Sequence, residues 1–175
     1  METLLYIIIG IVILIVILAL IAPKSYEVSR SIIINKPLSE VFTYLKSLKN
    51  QDNWSPWAER DPNMKKTFTG TDGEVGCISA WESDHKQVGS GEQEITSITE
   101  GKEITAQLRF LKPFKSQSDA YTRVAEADGG TKVTWGFSGK NKFPVSIMML
   151  FMNMEKAVGG DFEQGLAKLK STLEN

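Results

Sequence analysis

The side chains able to do acid–base or nucleophilic work are few. His85 is the only histidine and Cys77 the only cysteine of 175 residues. A Ser–His–Asp triad would have to be built around His85, and a zinc site would draw most of its ligands from carboxylates. His85 lies in ESDHKQ, a polar turn, and reads as a solvated turn residue. A Cys77–His85 nucleophile–base pair lacks a third group to orient the base. Glu92 and Glu94 in GEQEIT share one strand face, and Arg109 and Arg123 follow on later strands. Turned inward, such charges would orient the polar head of a ligand; turned outward, they are the wet face of a half-exposed sheet. GTDGEVG lies between strands and opens no helix, so its glycines belong to a turn rather than to a phosphate cradle. No catalytic residue is assigned, and no metal or cofactor is expected.

Apolar recognition is better provided for. Trp54 and Trp57 stand three apart in DNWSPWAERDP, a segment otherwise of loop composition with no periodic face to receive two large rings. Four of the six methionines fall in SIMMLFMNME, as Met148, Met149, Met152 and Met154. Methionine fills irregular core gaps and also recurs on adaptable apolar surfaces.

The elements that must position these residues come in two parts. Leu4 to Ala22 contains no charge, and at about 1.5 Å per residue its length matches the hydrocarbon core of a bilayer. A basic start and a small-x-small cleavage site, the marks of a removable signal peptide, are missing, so residues 1–23 read as a retained transmembrane anchor. Only Glu2 precedes the apolar run, whereas Lys24, Arg30 and Lys36 follow it, which places the remainder on the cytoplasmic side of the cell membrane. All 20 basic residues lie beyond residue 23, and without Glu2 the acidic count there is the same. A balanced domain of this kind is a poor partner for nucleic acid. A lone cysteine permits no intrachain disulfide and suits a reducing compartment.

Residues 24–175 are enough for one domain. Tyr26 to Asn35 reads as a strand rich in β-branched residues. Pro37 then suits a first helical turn capped by Asn35, with Leu38, Val41, Phe42 and Leu45 at helical spacing. A second short helix is expected over Leu48 to Trp54, ending near Pro56. From Met64 onward, strand-length runs alternate with turn chemistry and predict six more antiparallel strands. Their apolar faces include Cys77, Ser79 and Trp81; Ile104, Ala106, Leu108 and Phe110; and Val133, Trp135 and Phe137. Asp128, Gly129 and Gly130 mark a hairpin with successive positive φ angles. A long helix is predicted over Val145 to Glu174, with Ile147, Phe151, Met154, Val158, Phe162, Leu166, Leu169 and Leu173 forming one stripe. Gly159 and Gly160 interrupt it and suggest a bend or a close approach.

INKPLSEVFTYL followed by NWSPW, then GTKVTWGFSG, then GGDFEQGLAKLKSTLE resemble the START-like or SRPBCC superfamily, in its bacterial polyketide cyclase/dehydrase-like branch. The resemblance runs from Tyr26 to the end. It implies an α+β helix-grip fold: a curved seven-stranded antiparallel sheet around a long C-terminal helix, with two short helices after the first strand. It also implies a cavity between sheet and helix for a hydrophobic small molecule or lipid. The candidates to line it are Trp54, Trp57, Trp81, Phe110, Tyr121, Trp135, Phe137, Phe151, Met154 and Val158. Trp54 and Trp57 would roof its mouth, or else plug the end of the sheet as core. The superfamily hosts several functions on one fold, so a cyclase- or dehydrase-like enzyme and a protein-interaction module stand beside the ligand carrier.

Overall fold

The computed structural model describes residues 2–175. Helix α1 (Glu2–Ile21) leads through Pro23 into β1 (Ser25–Ile34). Helix α2 (Leu38–Lys46), a 3-10 turn (Asn50–Asn53) and helix α3 (Pro56–Arg60) follow. Six strands come next: β2 (Lys65–Thr69), β3 (Ile78–Glu82), β4 (Ser90–Thr99), β5 (Glu103–Lys112), β6 (Ser116–Ala127) and β7 (Gly130–Lys140). Helix α4 (Val145–Met148) and the long α5 (Met154–Glu174) close the chain.

The seven strands form one antiparallel sheet in the order β1-β7-β6-β5-β4-β3-β2, so the first strand returns beside the last. Period-two alternation gives the sheet two unlike faces. Val28, Ile104, Ala106, Val124, Val133, Trp135 and Phe137 turn to the concave side and are buried with Phe162, Leu166, Leu169 and Leu173 of α5. Ion pairs hold α5 in this grip at both flanks. Arg30 of β1 reaches Glu155 at 2.8 Å and Glu163 at 2.6 Å, and Arg60 of α3 makes a two-pronged pair with Asp161. The fork geometry of guanidinium on carboxylate fixes orientation as well as distance, so α3 is tied to α5 through Arg60.

Several local expectations are corrected. The C-terminal helix starts at Met154, not Val145, because Asn153 adopts an extended conformation and its side chain accepts from the backbone N–H of Lys156 at 3.1 Å. Ile147 and Phe151 therefore leave the α5 stripe. Pro56 opens a helix instead of ending one, as its missing N–H is harmless in a first turn. The segment before it is only a 3-10 turn. Asn35 does not cap α2: Pro37 occupies that position without a side-chain hydrogen bond. At the β6–β7 hairpin, paired Ala127 and Gly130 flank Asp128 and Gly129, and only Gly129 has positive φ.

The α5 glycines also separate. A Cβ at Gly159 would meet the Arg30 guanidinium, whereas at Gly160 it would meet nothing within 4 Å. The expected close approach is thus found at Gly159, and a second occurs at Gly165, where a Cβ would stand 2.8 Å from the Trp135 ring and 3.1 Å from Pro56. Gly160→Ala is therefore expected to stabilise the fold by about 0.5–1 kcal/mol, the helix-interior cost of glycine; a rise in the urea midpoint checks it.

Candidate ligand cavity

The concave side is filled unevenly. Toward the end of the sheet where β1 finishes, Ile34, Val41, Ile95, Val133, Leu166 and Leu169 have essentially no exposed surface. Toward the other end the sheet and α5 diverge around a cavity of about 590 Å³, within the size range of small-molecule sites. Trp81 of β3, Leu108 and Phe110 of β5, Trp135 and Phe137 of β7, and Met154, Val158 and Phe162 of α5 supply apolar wall. Trp57 of α3 closes one side. The polar groups are sparse. Ser79, Gln93 and Ser118 project from strands, and Ser118 Oγ shares a 2.7 Å hydrogen bond with Tyr26 Oη. Lys66 and Asp52, paired with each other, line it as well, as do Lys86 and Lys112.

The two tryptophans of the α2–β2 connection have different fates. Trp54 is 3% exposed, stands edge-on to Trp135 with centroids 4.8 Å apart, and is not among the cavity-lining residues. Its buried Nε1–H finds no acceptor among the described residues. Trp57 faces the cavity and meets Trp135 at 5.8 Å and Phe162 at 6.2 Å, both edge-on. Trp135 in turn stacks on Phe162 at 4.3 Å. The Trp135–Phe162 stack thus forms the inner wall, with Trp54 packed behind it and Trp57 in front. Edge-to-face and offset-stacked geometries match the ring quadrupoles and add to the area buried.

A family model described as polyketide cyclase/dehydrase and lipid transport matches residues 25–174. The chain belongs to this family. Comparison with curated proteins gives no match. Among solved structures, an uncharacterised protein from Rhizobium leguminosarum is similar with a TM-score of 0.62 at 13% identity, covering 86% of this chain and 95% of that one. The di-domain aromatase/cyclase StfQ of the steffimycin biosynthetic pathway also gives 0.62, at 9% identity, covering 86% of this chain and 51% of its own. The protein Ara h 8.0201 gives 0.53 at 13% identity, over 85% and 97% of the two chains. These likenesses establish the helix-grip, Bet v 1-like fold.

Within this polyketide cyclase/dehydrase-family domain, three of the ten residues named from sequence fall outside the cavity. Trp54 is behind the wall. Tyr121 lies on the convex face, because it pairs with Gly136 while the neighbouring Trp135 points inward. Its ring covers Gly136, carries the Arg123 guanidinium 4.0 Å from its centroid and donates to Glu27 at 2.6 Å. Burial, then the Glu27 hydrogen bond, hold its hydroxyl above the usual tyrosine range. Phe151 is 81% exposed in the α4–α5 connection and borders a separate cleft of about 370 Å³ with Met149 and Pro23. The other seven line the cavity. Tyr26 and Phe114, which sequence reasoning passed over, also line it, as do Leu108, singled out by the alternation of β5, and Met152, one of the methionines noted from the sequence.

The charged side chains that the sequence singled out on β4, β5 and β6 are on the wrong side for ligand recognition in the cavity. Arg109 reaches Glu92 and, at 2.7 Å, Glu94, and Arg123 reaches Glu103 at 2.6 Å. Their strand partners place them on the convex face, since Leu108 and Phe110 on either side of Arg109 turn inward and Arg123 pairs with Glu103 on the same face as Arg109. The inward-turned charged pair considered from sequence is thus corrected to a wet face. Cys77 and His85 do not form a pair either. Cys77 is 1% exposed before β3, His85 is exposed after it, and the strand between them spans roughly 16 Å. Burial pushes the Cys77 thiol up, away from thiolate.

Proposed function

We propose that this domain binds a hydrophobic small molecule or lipid in the cavity between its sheet and α5, and that α1 anchors it in the cell membrane. The observation that carries the reading is the cavity's lining, in which aromatic rings and methionines predominate and Asp52, Lys66, Lys86 and Lys112 are the charged groups. Such a surface desolvates an apolar ligand without stranding polar groups, and Ser79, Gln93 and the Ser118–Tyr26 pair suffice to orient one polar head. Trp57, Trp81, Phe110, Trp135, Phe137, Met154 and Val158 are the expected contacts. For the anchor, α1 is 20 residues long with none buried, and the lysines and arginines that follow it favour a cytoplasmic domain. An acid–base enzyme is the less supported alternative. The carboxylates of β4 and β5 face solvent, and Asp52, which lines the cavity, is already paired with Lys66.

Three of the four tryptophans line the cavity, so energy transfer to a bound polyene fatty acid reports occupancy directly. The full chain in lipid nanodiscs is expected to bind the probe saturably, with competition by unlabelled apolar compounds. Saturable uptake should fall when Phe110 or Val158 is replaced by Asp, which puts a charge in the apolar wall. Absent uptake, together with extracts of the purified protein repeatedly free of lipid, would refute the reading.

A further inference from the structure

The strand registers bring four segments to one end of the sheet. Ser25 pairs with Lys140, Phe110 with Ser116, and Lys112 with Ser90. The exit of α1, the β5–β6 hairpin, the β3–β4 connection and the β7–α5 connection therefore share one end, and the cavity reaches it through Pro113, Phe114 and Met152. The exposed apolar side chains gather there too. Phe114 is 79% exposed, Phe143 65% and Phe151 81%, with Leu111, Val145, Met148 and Met152 beside them. Outside α1, the only other exposed large apolar residues among those described are Ile33 and Val75.

Charge accompanies them. The two connections read LKPFKS and KNKFPV, so Phe114 has a lysine on either side, Phe143 follows Lys142, and neither stretch contains a carboxylate. Of Lys112, Lys115, Lys140 and Lys142, only Lys112 has an acidic partner among the described residues, Glu82 at 3.6 Å. Exposed rings next to unpaired lysines are the composition of a surface that meets both acyl chains and anionic headgroups. The contact between α4 and α1 sets its depth. Helix α4 packs on α1, whose partly covered residues, Leu18 and Ala19, belong to its last turn. A helix spanning a bilayer has that turn at the membrane boundary.

Resting on the anchor reading above, we propose that this end of the domain docks on the bilayer that α1 crosses. Phe114, Phe143 and Phe151 enter the interface, Lys115, Lys140 and Lys142 meet anionic headgroups, and the cavity mouth opens onto lipid. The ligand then exchanges with the leaflet rather than with water.

The test uses the full chain in nanodiscs containing anionic lipid, with spin labels on single introduced cysteines; native Cys77 is buried and stays unlabelled. Phe114→Cys and Phe143→Cys probe the docking end, Asp128→Cys the opposite end of the sheet, and Val16→Cys the anchor. Labels at 114 and 143 are expected to collide several-fold less often with a water-soluble nickel chelate, and more often with oxygen, than the label at 128. In purely neutral lipid that difference should shrink. Labels at 114 and 143 as open to the chelate as 128, while 16 is lipid-shielded, would overturn the docking and leave the anchor standing. A chelate-accessible label at 16 would remove the anchor, and the docking with it.

Discussion

Trp54→Ala is expected to lose about 3–5 kcal/mol of stability with little change in ligand affinity, whereas Trp57→Ala should change affinity and exchange more than stability. The contrast follows from position. Trp54 is 3% exposed behind the cavity wall, so its removal leaves a void between Trp135 and the 3-10 turn that the fold can only partly collapse. Trp57 is partly exposed, faces the cavity, and sits on α3, which Arg60 pins to Asp161 independently of the ring. Trp54→Phe separates packing from hydrogen bonding. Because the indole N–H has no acceptor among the described residues, the smaller ring forfeits area but no bond, and the loss should be well below that of Ala. Urea unfolding followed by circular dichroism, beside titration of the polyene fatty acid, reads both quantities on each variant. Equal destabilisation by the two alanine variants with unchanged binding would show that Trp57 is core as well.

Phe162→Ala should cost about 3 kcal/mol, and it should also weaken ligand uptake. The ring stacks on Trp135, stands edge-on to Phe137 at 5.6 Å and to Trp57 at 6.2 Å, and forms part of the cavity wall. One side of it already borders open space, which keeps the cost at the lower end for a buried phenylalanine. Leu169→Ala is the control in the packed half. It is fully buried and lines no cavity, so it should cost about 2–5 kcal/mol and leave binding intact. At roughly 2–4 °C per kcal/mol for a chain of this size, both changes are large in a thermal scan. A loss below about 1 kcal/mol at Phe162 would mean that the phase of α5 is misassigned.

Much of this architecture is written in local pattern. The apolar run of α1, the alternation of β5 and β7, and the Phe162, Leu166, Leu169, Leu173 stripe are periodic signals. Period decides which face is apolar before any partner is present. The family resemblance, carried by three stretches, added the order of the elements around one helix. The break between α4 and α5 was not legible, because the apolar spacing of Ile147, Phe151 and Met154 continues a helical period that the Asn153 cap interrupts.

By itself, the sequence determined that Trp57, Trp135 and Phe162 are large apolar groups in need of cover, and that an uncharged apolar run, Leu4 to Ala22, precedes the domain. Only the tertiary structure decided which rings meet. Trp54 and Trp57 differ by three positions, and their opposite environments arise from the 3-10 turn and the start of α3 between them. Tyr121 and the Arg109 cluster went to the convex face because a strand offers two faces, and the register with β4, β6 and β7 chooses which one the helix covers. The gathering of Phe114, Phe143 and Phe151 beside the exit of α1 is likewise a matter of register. Residues far apart in the chain become neighbours only when β1 pairs with β7 and β7 with β6.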